Sequence, residues 1–82
     1  MDHMSKKQIE EAVRTSLDAY FKDLKGVEPD NLYDLMLGTF EKPLLDIVMR
    51  QADGNQSRAA EWLGLNRNTL RKKLIEHKLI RP

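Results

Sequence analysis

Residues 55–77 read Asn55-Gln56-Ser57-Arg58-Ala59-Ala60-Glu61-Trp62-Leu63-Gly64-Leu65-Asn66-Arg67-Asn68-Thr69-Leu70-Arg71-Lys72-Lys73-Leu74-Ile75-Glu76-His77, and their pattern describes two short helices joined by a tight turn. Asn55 or Gln56 opens the first helix, and Ala59 and Ala60 are small where two helices would cross closely. Gly64 ends that helix, because a residue without a Cβ adopts the left-handed backbone that closes a helix at little cost. Leu65 is apolar within the turn and can plug into a core. Asn66 can cap the second helix through its side-chain oxygen. Leu70 and Leu74 lie one helical turn apart and predict the buried edge of that helix, which leaves Arg67, Thr69, Arg71, Lys72 and Lys73 on its outer faces. A Gly turn, a small crossing pair and a basic second helix together predict a helix-turn-helix whose second helix enters a major groove.

The charge distribution agrees. The chain has 82 residues and a formal net charge of +1. Residues 1–54 hold seven Lys/Arg against eleven Asp/Glu, whereas residues 55–82 hold seven Lys/Arg against Glu61 and Glu76. An acidic body with a basic end is the electrostatic footprint of a polyanion binder. A solvated helix face would explain the charge run alone, but not the turn chemistry beside it.

Upstream, Lys25-Gly26-Val27-Glu28-Pro29 and Asp53-Gly54-Asn55 read as helix stops. From Ser5 to Lys25, the residues Ile9, Val13, Leu17, Tyr20, Phe21 and Leu24 form one apolar helical stripe, with Ser5 and Gln8 placed for a capping box. From Asn31 to Ala52 the pattern changes. Asp30 or Asn31 can cap the start, and 11 of the 18 residues from Leu32 to Met49 are apolar, pointing in most directions around the axis. Such a helix must be covered nearly all round, which one amphipathic helix and two short ones cannot do; a second copy of the chain can. Pro43 interrupts this segment without a polar loop, which predicts a kink rather than two helices. The expectation is an all-α fold of four helices per subunit, with residues 1–54 a dimerisation region and 55–82 a DNA-binding region of one structural domain.

The chemistry of the second helix suits a duplex. Arg67, in its first turn, is placed for a bidentate contact with guanine, worth roughly 1–3 kcal/mol of discrimination. Asn66 can cap or read an adenine edge. Thr69, Arg71, Lys72 and Lys73 can reach phosphates or base edges. Asn55, Gln56 and Ser57 stand at a helix N-terminus, where free amides and the dipole attract phosphate; N-capping is their simpler role.

These residues resemble the Fis family (factor for inversion stimulation) of bacterial nucleoid-associated proteins, and the related DNA-binding domains that end NtrC-type activators. The resembling stretches are Asn31–Leu35, Glu41–Asp46, Gly54–Ala60 and Gly64–Leu74. With no ATPase domain ahead of them, Fis itself is the nearer pattern. The resemblance implies an intertwined dimer core from the first two helices, with Leu32, Leu35, Met36, Phe40, Pro43, Leu44, Ile47 and Val48 in the shared interior. It implies base contacts from Asn66, Arg67 and Lys72, and backbone contacts from Asn55, Gln56, Ser57, Arg58, Thr69, Arg71 and Lys73. It also implies recognition helices closer than one turn of B-DNA, so that the duplex bends and specificity is degenerate and partly indirect. RNA polymerase joins double-stranded DNA and the second copy as an expected partner. Enteric members carry a longer N-terminal arm that engages a site-specific invertase; here about eight residues precede the first helix, which counts against that partner. Asp53, Asn68 and the Ile75-Glu76-His77 ending depart from the enteric pattern and predict a weaker flanking wrap.

Other classes fit poorly. His3 and His77 have no partners at metal-ligand spacing, there is no Gly-rich phosphate loop, and no catalytic group, metal or cofactor is expected. There is no cysteine, no apolar run near the ~20 residues of a membrane span and no signal-peptide core, so a cytoplasmic, nucleoid location is expected. His77 is read as a helix-end residue favouring the dipole, and Trp62 as core or crossing packing. The rival reading is a helical interaction module whose basic end grips an acidic protein; Asn66, Arg67 and Thr69 at a helix start favour base reading instead.

Overall fold

The computed structural model describes residues 3–82. Among these residues there are four helices and no strand: α1 (His3–Leu24), α2 (Leu32–Gln51), α3 (Gln56–Leu63) and α4 (Arg67–Glu76). None is long and apolar enough to cross a membrane. The chain divides into two compact units, residues 1–31 and 32–82.

The first unit is α1 and the turn after it. Val13, Leu17, Tyr20 and Leu24 are half-buried along one side, while Ile9 and Phe21 stay exposed. Tyr20 and Phe21 meet edge to face with ring centroids 6.1 Å apart, the arrangement that aromatic quadrupoles favour. The helix begins at His3, and the expected capping box of Ser5 and Gln8 rests on a side chain that lies outside those described. Lys25 and Gly26 stop it with consecutive left-handed backbones, φ 53° and 84°.

The second unit holds the rest. Asn31 precedes α2 with φ 53°, a left-handed backbone and not the extended one of a capping residue. α2 passes through Pro43 as one helix. Proline has no N–H, so the carbonyl of Thr39 lacks its helical partner there; one turn earlier, the Thr39 hydroxyl donates to the Leu35 carbonyl at 2.7 Å.

α2 packs on α3 and α3 on α4. Their core is Leu45, Ala52, Ala59, Ala60, Leu70 and Leu74, with Val48, Met49, Leu63, Leu79 and Ile80 closing around it. Ala59 and Ala60 let the helices approach, and Leu70 and Leu74 form the buried edge of α4, as the spacing predicted. Trp62 does not join them. It is 56% exposed on the outer face of α3, because the inner face of so short a helix is already filled by the two alanines and Leu63.

Three helix ends share one device. At the ends of α2, α3 and α4 the N–H groups of Gly54, Leu65 and Leu79 donate back to the carbonyls of Met49, Ala60 and Leu74 at 2.9, 3.0 and 2.8 Å, the longer bond of a Schellman motif. The left-handed residue is Asp53 (φ 53°), Gly64 (φ 71°) and Lys78 (φ 59°) respectively. Only Gly64 has the residue type this backbone favours. Lys78→Gly is therefore expected to stabilise the protein by about 1 kcal/mol, roughly 4–8 °C in Tm for a domain of this size. Calorimetry giving an unchanged or lower Tm would contradict the backbone cost assigned to Lys78.

α2 presents two faces. Leu45, like Ala52 just past the helix end, looks into the core, whereas Tyr33, Leu37, Phe40, Leu44 and Ile47 are 39–77% exposed. The exposed five are spaced four, three, four and three residues apart, the seam by which one helix packs along another. Of the expected shared-core residues, Leu35, Phe40, Pro43, Leu44 and Ile47 are open in the single chain, and Leu32, Met36 and Val48 are half-covered.

Candidate nucleic-acid interface

α4 is set in place by its two ends and one edge. At its start the Asn66 side-chain Oδ1 accepts from the Asn68 N–H at 2.8 Å, with an extended Asn66 backbone (φ −66°, ψ 142°). Asn55 does the same for α3, accepting from the Arg58 N–H at 3.0 Å. Each cap satisfies one first-turn N–H and leaves others of that turn for an anion. Between the two caps, Gly64 makes the turn, with its N–H on the Glu61 carbonyl at 3.2 Å.

Arg67, Asn68, Thr69, Arg71 and Lys72 are all exposed on α4, and Asn55, Ser57 and Arg58 are exposed at the start of α3, with Gln56 half-covered beside them. Among the described residues no acidic group lies within ion-pair distance of Arg58, Arg67, Arg71 or Lys72, so their donors are available to a polyanion. Asn66 spends its oxygen on the cap, which leaves the amide N–H pair for an acceptor such as a phosphate oxygen or a purine N7. Glu76 shares the exposed side of α4 near its far end, which biases phosphate contact towards the N-terminal half.

Lys73 and His77 are arranged differently. Along α4 they fall on the flank beside Leu70 and Leu74 and face α2. Lys73 Nζ donates to Glu41 Oε2 at 2.9 Å, and His77 Nε2 lies 2.8 Å from Glu41 Oε1. Lys73, expected with the backbone-contacting residues, is instead engaged inside the subunit; His77, expected only to favour the helix dipole, is also a partner of α2. Sequence reasoning missed Glu41 altogether, since the partners lie 32 and 36 residues away and no local spacing signals them.

The hydrogen bonds from His77 and then Lys73 hold the Glu41 carboxyl below its ordinary value of 4.5, against the opposing effect of burial. A depressed folded-state value makes this contribution to stability fully present above the ordinary carboxylate range and lost as pH falls through the lowered value. Glu41→Gln is thus expected to cost stability at pH 7, with the difference from the parent closing below about pH 4. A difference that stays constant down to pH 2 in urea titrations would contradict the ionic origin.

Two capped helices, a three-residue turn and a basic exposed helix start define a helix-turn-helix DNA-binding protein. The sequence model of the bacterial regulatory protein Fis family matches residues 37–77. The chain is 54% identical over 77 residues to a Fis-like DNA-binding protein of Ralstonia nicotianae, covering 94% of this chain and 100% of that one. It is 58% identical over 72 residues to a Fis-like DNA-binding protein of Neisseria meningitidis, covering 88% and 91%. To the DNA-binding protein Fis of Proteus mirabilis it is 47% identical over 76 residues, covering 93% and 78%. The chain belongs to the Fis family.

Proposed function

We propose that the protein acts as a homodimer which sets two α4 helices into one duplex, bends it, and serves as a nucleoid-associated regulator with degenerate sequence preference in the bacterial cytoplasm. The observation that carries this reading is the exposed seam Tyr33, Leu37, Phe40, Leu44 and Ile47 on α2, on the side of the helix away from Leu45. A second copy of α2 is the simplest cover for a seam of this spacing. Residues 1–54 then hold the dimer and residues 55–82 read DNA.

Within that arrangement Arg67 and Lys72 reach base edges, with Asn66 donating from its free amide. Asn55, Gln56, Ser57, Arg58, Thr69 and Arg71 hold phosphates, and Lys73 supports the helix from inside. Bending makes selectivity depend on how easily the sequence between the two contacted grooves deforms.

Gel shifts over a salt series, circular-permutation bending and sedimentation of the free protein test the reading together. The expected result is a dimer that bends DNA, with log affinity falling linearly against log salt as counterions are released. A monomer, an unbent complex or a salt-independent affinity would each overturn it.

A further inference from the structure

We propose that Glu41 is a positioning residue for DNA selectivity: by gripping Lys73 and His77 together, it fixes the rotation of α4 against α2 and so the spacing of the two reading helices. The inference rests on the dimeric DNA-bending function proposed above. Apolar contacts are non-directional, so Leu70 and Leu74 alone hold α4 close without fixing its rotation. The carboxylate supplies direction. Its two oxygens take one donor each, at 2.9 Å from Lys73 and 2.8 Å from His77, and the two donors sit one turn apart on the same flank of α4.

The location strengthens the argument. Glu41 lies on α2 between Phe40 and Leu44 of the exposed seam, so a single side chain ties the element that would meet the second copy to the element that would meet DNA. His77 borders the same hollow as Gly38, Thr39 and Pro43, the stretch of α2 in which the helix lacks a backbone donor. Asp34 and Lys42 border it too, but neither is recorded in a bond to Glu41. The grip is only partly shielded, with Glu41 30% and His77 16% exposed at the side chain, and it is charged, so it resists sliding more than neutral contacts do.

The sign of the effect separates this role from simple charge. Removing an acidic residue from a DNA-binding protein should by itself tighten binding to every duplex. Loss of a positioning contact should instead weaken binding to a preferred, bent site and spare a short mixed-sequence duplex. In the full-length protein, Glu41→Gln is expected to lower the ratio of specific to non-specific affinity roughly five- to tenfold and to reduce the bend angle, with the dimer retained.

His77 gives an independent arm should Glu41→Gln fail to fold. His77→Gln keeps an N–H donor for the carboxylate and should retain parental selectivity. His77→Leu keeps the apolar packing but removes the donor, so it should cost stability at pH 7 as Glu41→Gln does and lose selectivity to the same degree. Uniformly tighter binding by Glu41→Gln, or equal selectivity of His77→Gln and His77→Leu, would overturn the inference. Failure of the parent protein to bend DNA or to dimerise would instead overturn the function on which it rests.

Discussion

Leu44→Asp is expected to turn the proposed dimer into a monomer and to lower DNA affinity roughly a hundredfold or more, the range lost when two linked contacts become one. Leu44 is 52% exposed in the single chain, whereas its neighbour Leu45 is 1% exposed. The substitution therefore leaves the α2–α3–α4 core intact and places a carboxylate at the centre of the seam. Across a two-fold axis the charge would face a second copy of itself or an apolar neighbour, and burying it there unpaired is costly. Leu45→Asp is the contrasting variant: it should unfold the helix-turn-helix itself and abolish binding together with its thermal transition. Sedimentation and gel shift distinguish the two. A Leu44→Asp protein that remains dimeric with parental affinity would remove the seam from the interface.

The second large effect is expected at Arg67. Its guanidinium stands in the first turn of α4, exposed and with no acidic partner among the described residues, where side chains reach base edges. One bidentate guanine contact is worth roughly 1–3 kcal/mol, so Arg67→Ala should reduce affinity for guanine-bearing sites about ten- to a hundredfold. Binding to sites without guanine at the contacted position should fall far less, by the loss of one positive charge. Selection of preferred sites from a random pool by the variant is the measurement. An unchanged guanine preference would move Arg67 to the phosphates.

Much of this was legible in the sequence because the decisive signals were local. Gly64, Asn55 and Asn66 announce ends of helices through backbone chemistry confined to a few residues. Leu70 and Leu74 announce a buried edge through a spacing of four. What was not legible was non-local or depended on what was already filled. Glu41 looked like any surface acid until the fold set it against Lys73 and His77. Trp62 reads as a core residue from its size, but Ala59, Ala60 and Leu63 had taken the inner face of α3. Asp53-Gly54 signalled a helix stop without showing that the left-handed backbone begins already at Asp53, and Lys78 carries no turn signal at all. The packing of Leu79 and Ile80 beneath α4 was missed because it follows the turn at Lys78 and continues no helical stripe.

Among the described residues six side chains are buried, all between Leu45 and Leu74, a small interior for a chain of this length. Most of the remaining apolar surface of α2 faces away from that core. In the proposed dimer, assembly adds to the stability of the folded subunit, so dilution should weaken the protein. Its melting temperature should climb with its own concentration, and the number of copies a cell keeps becomes a thermodynamic setting for how much of it can occupy DNA.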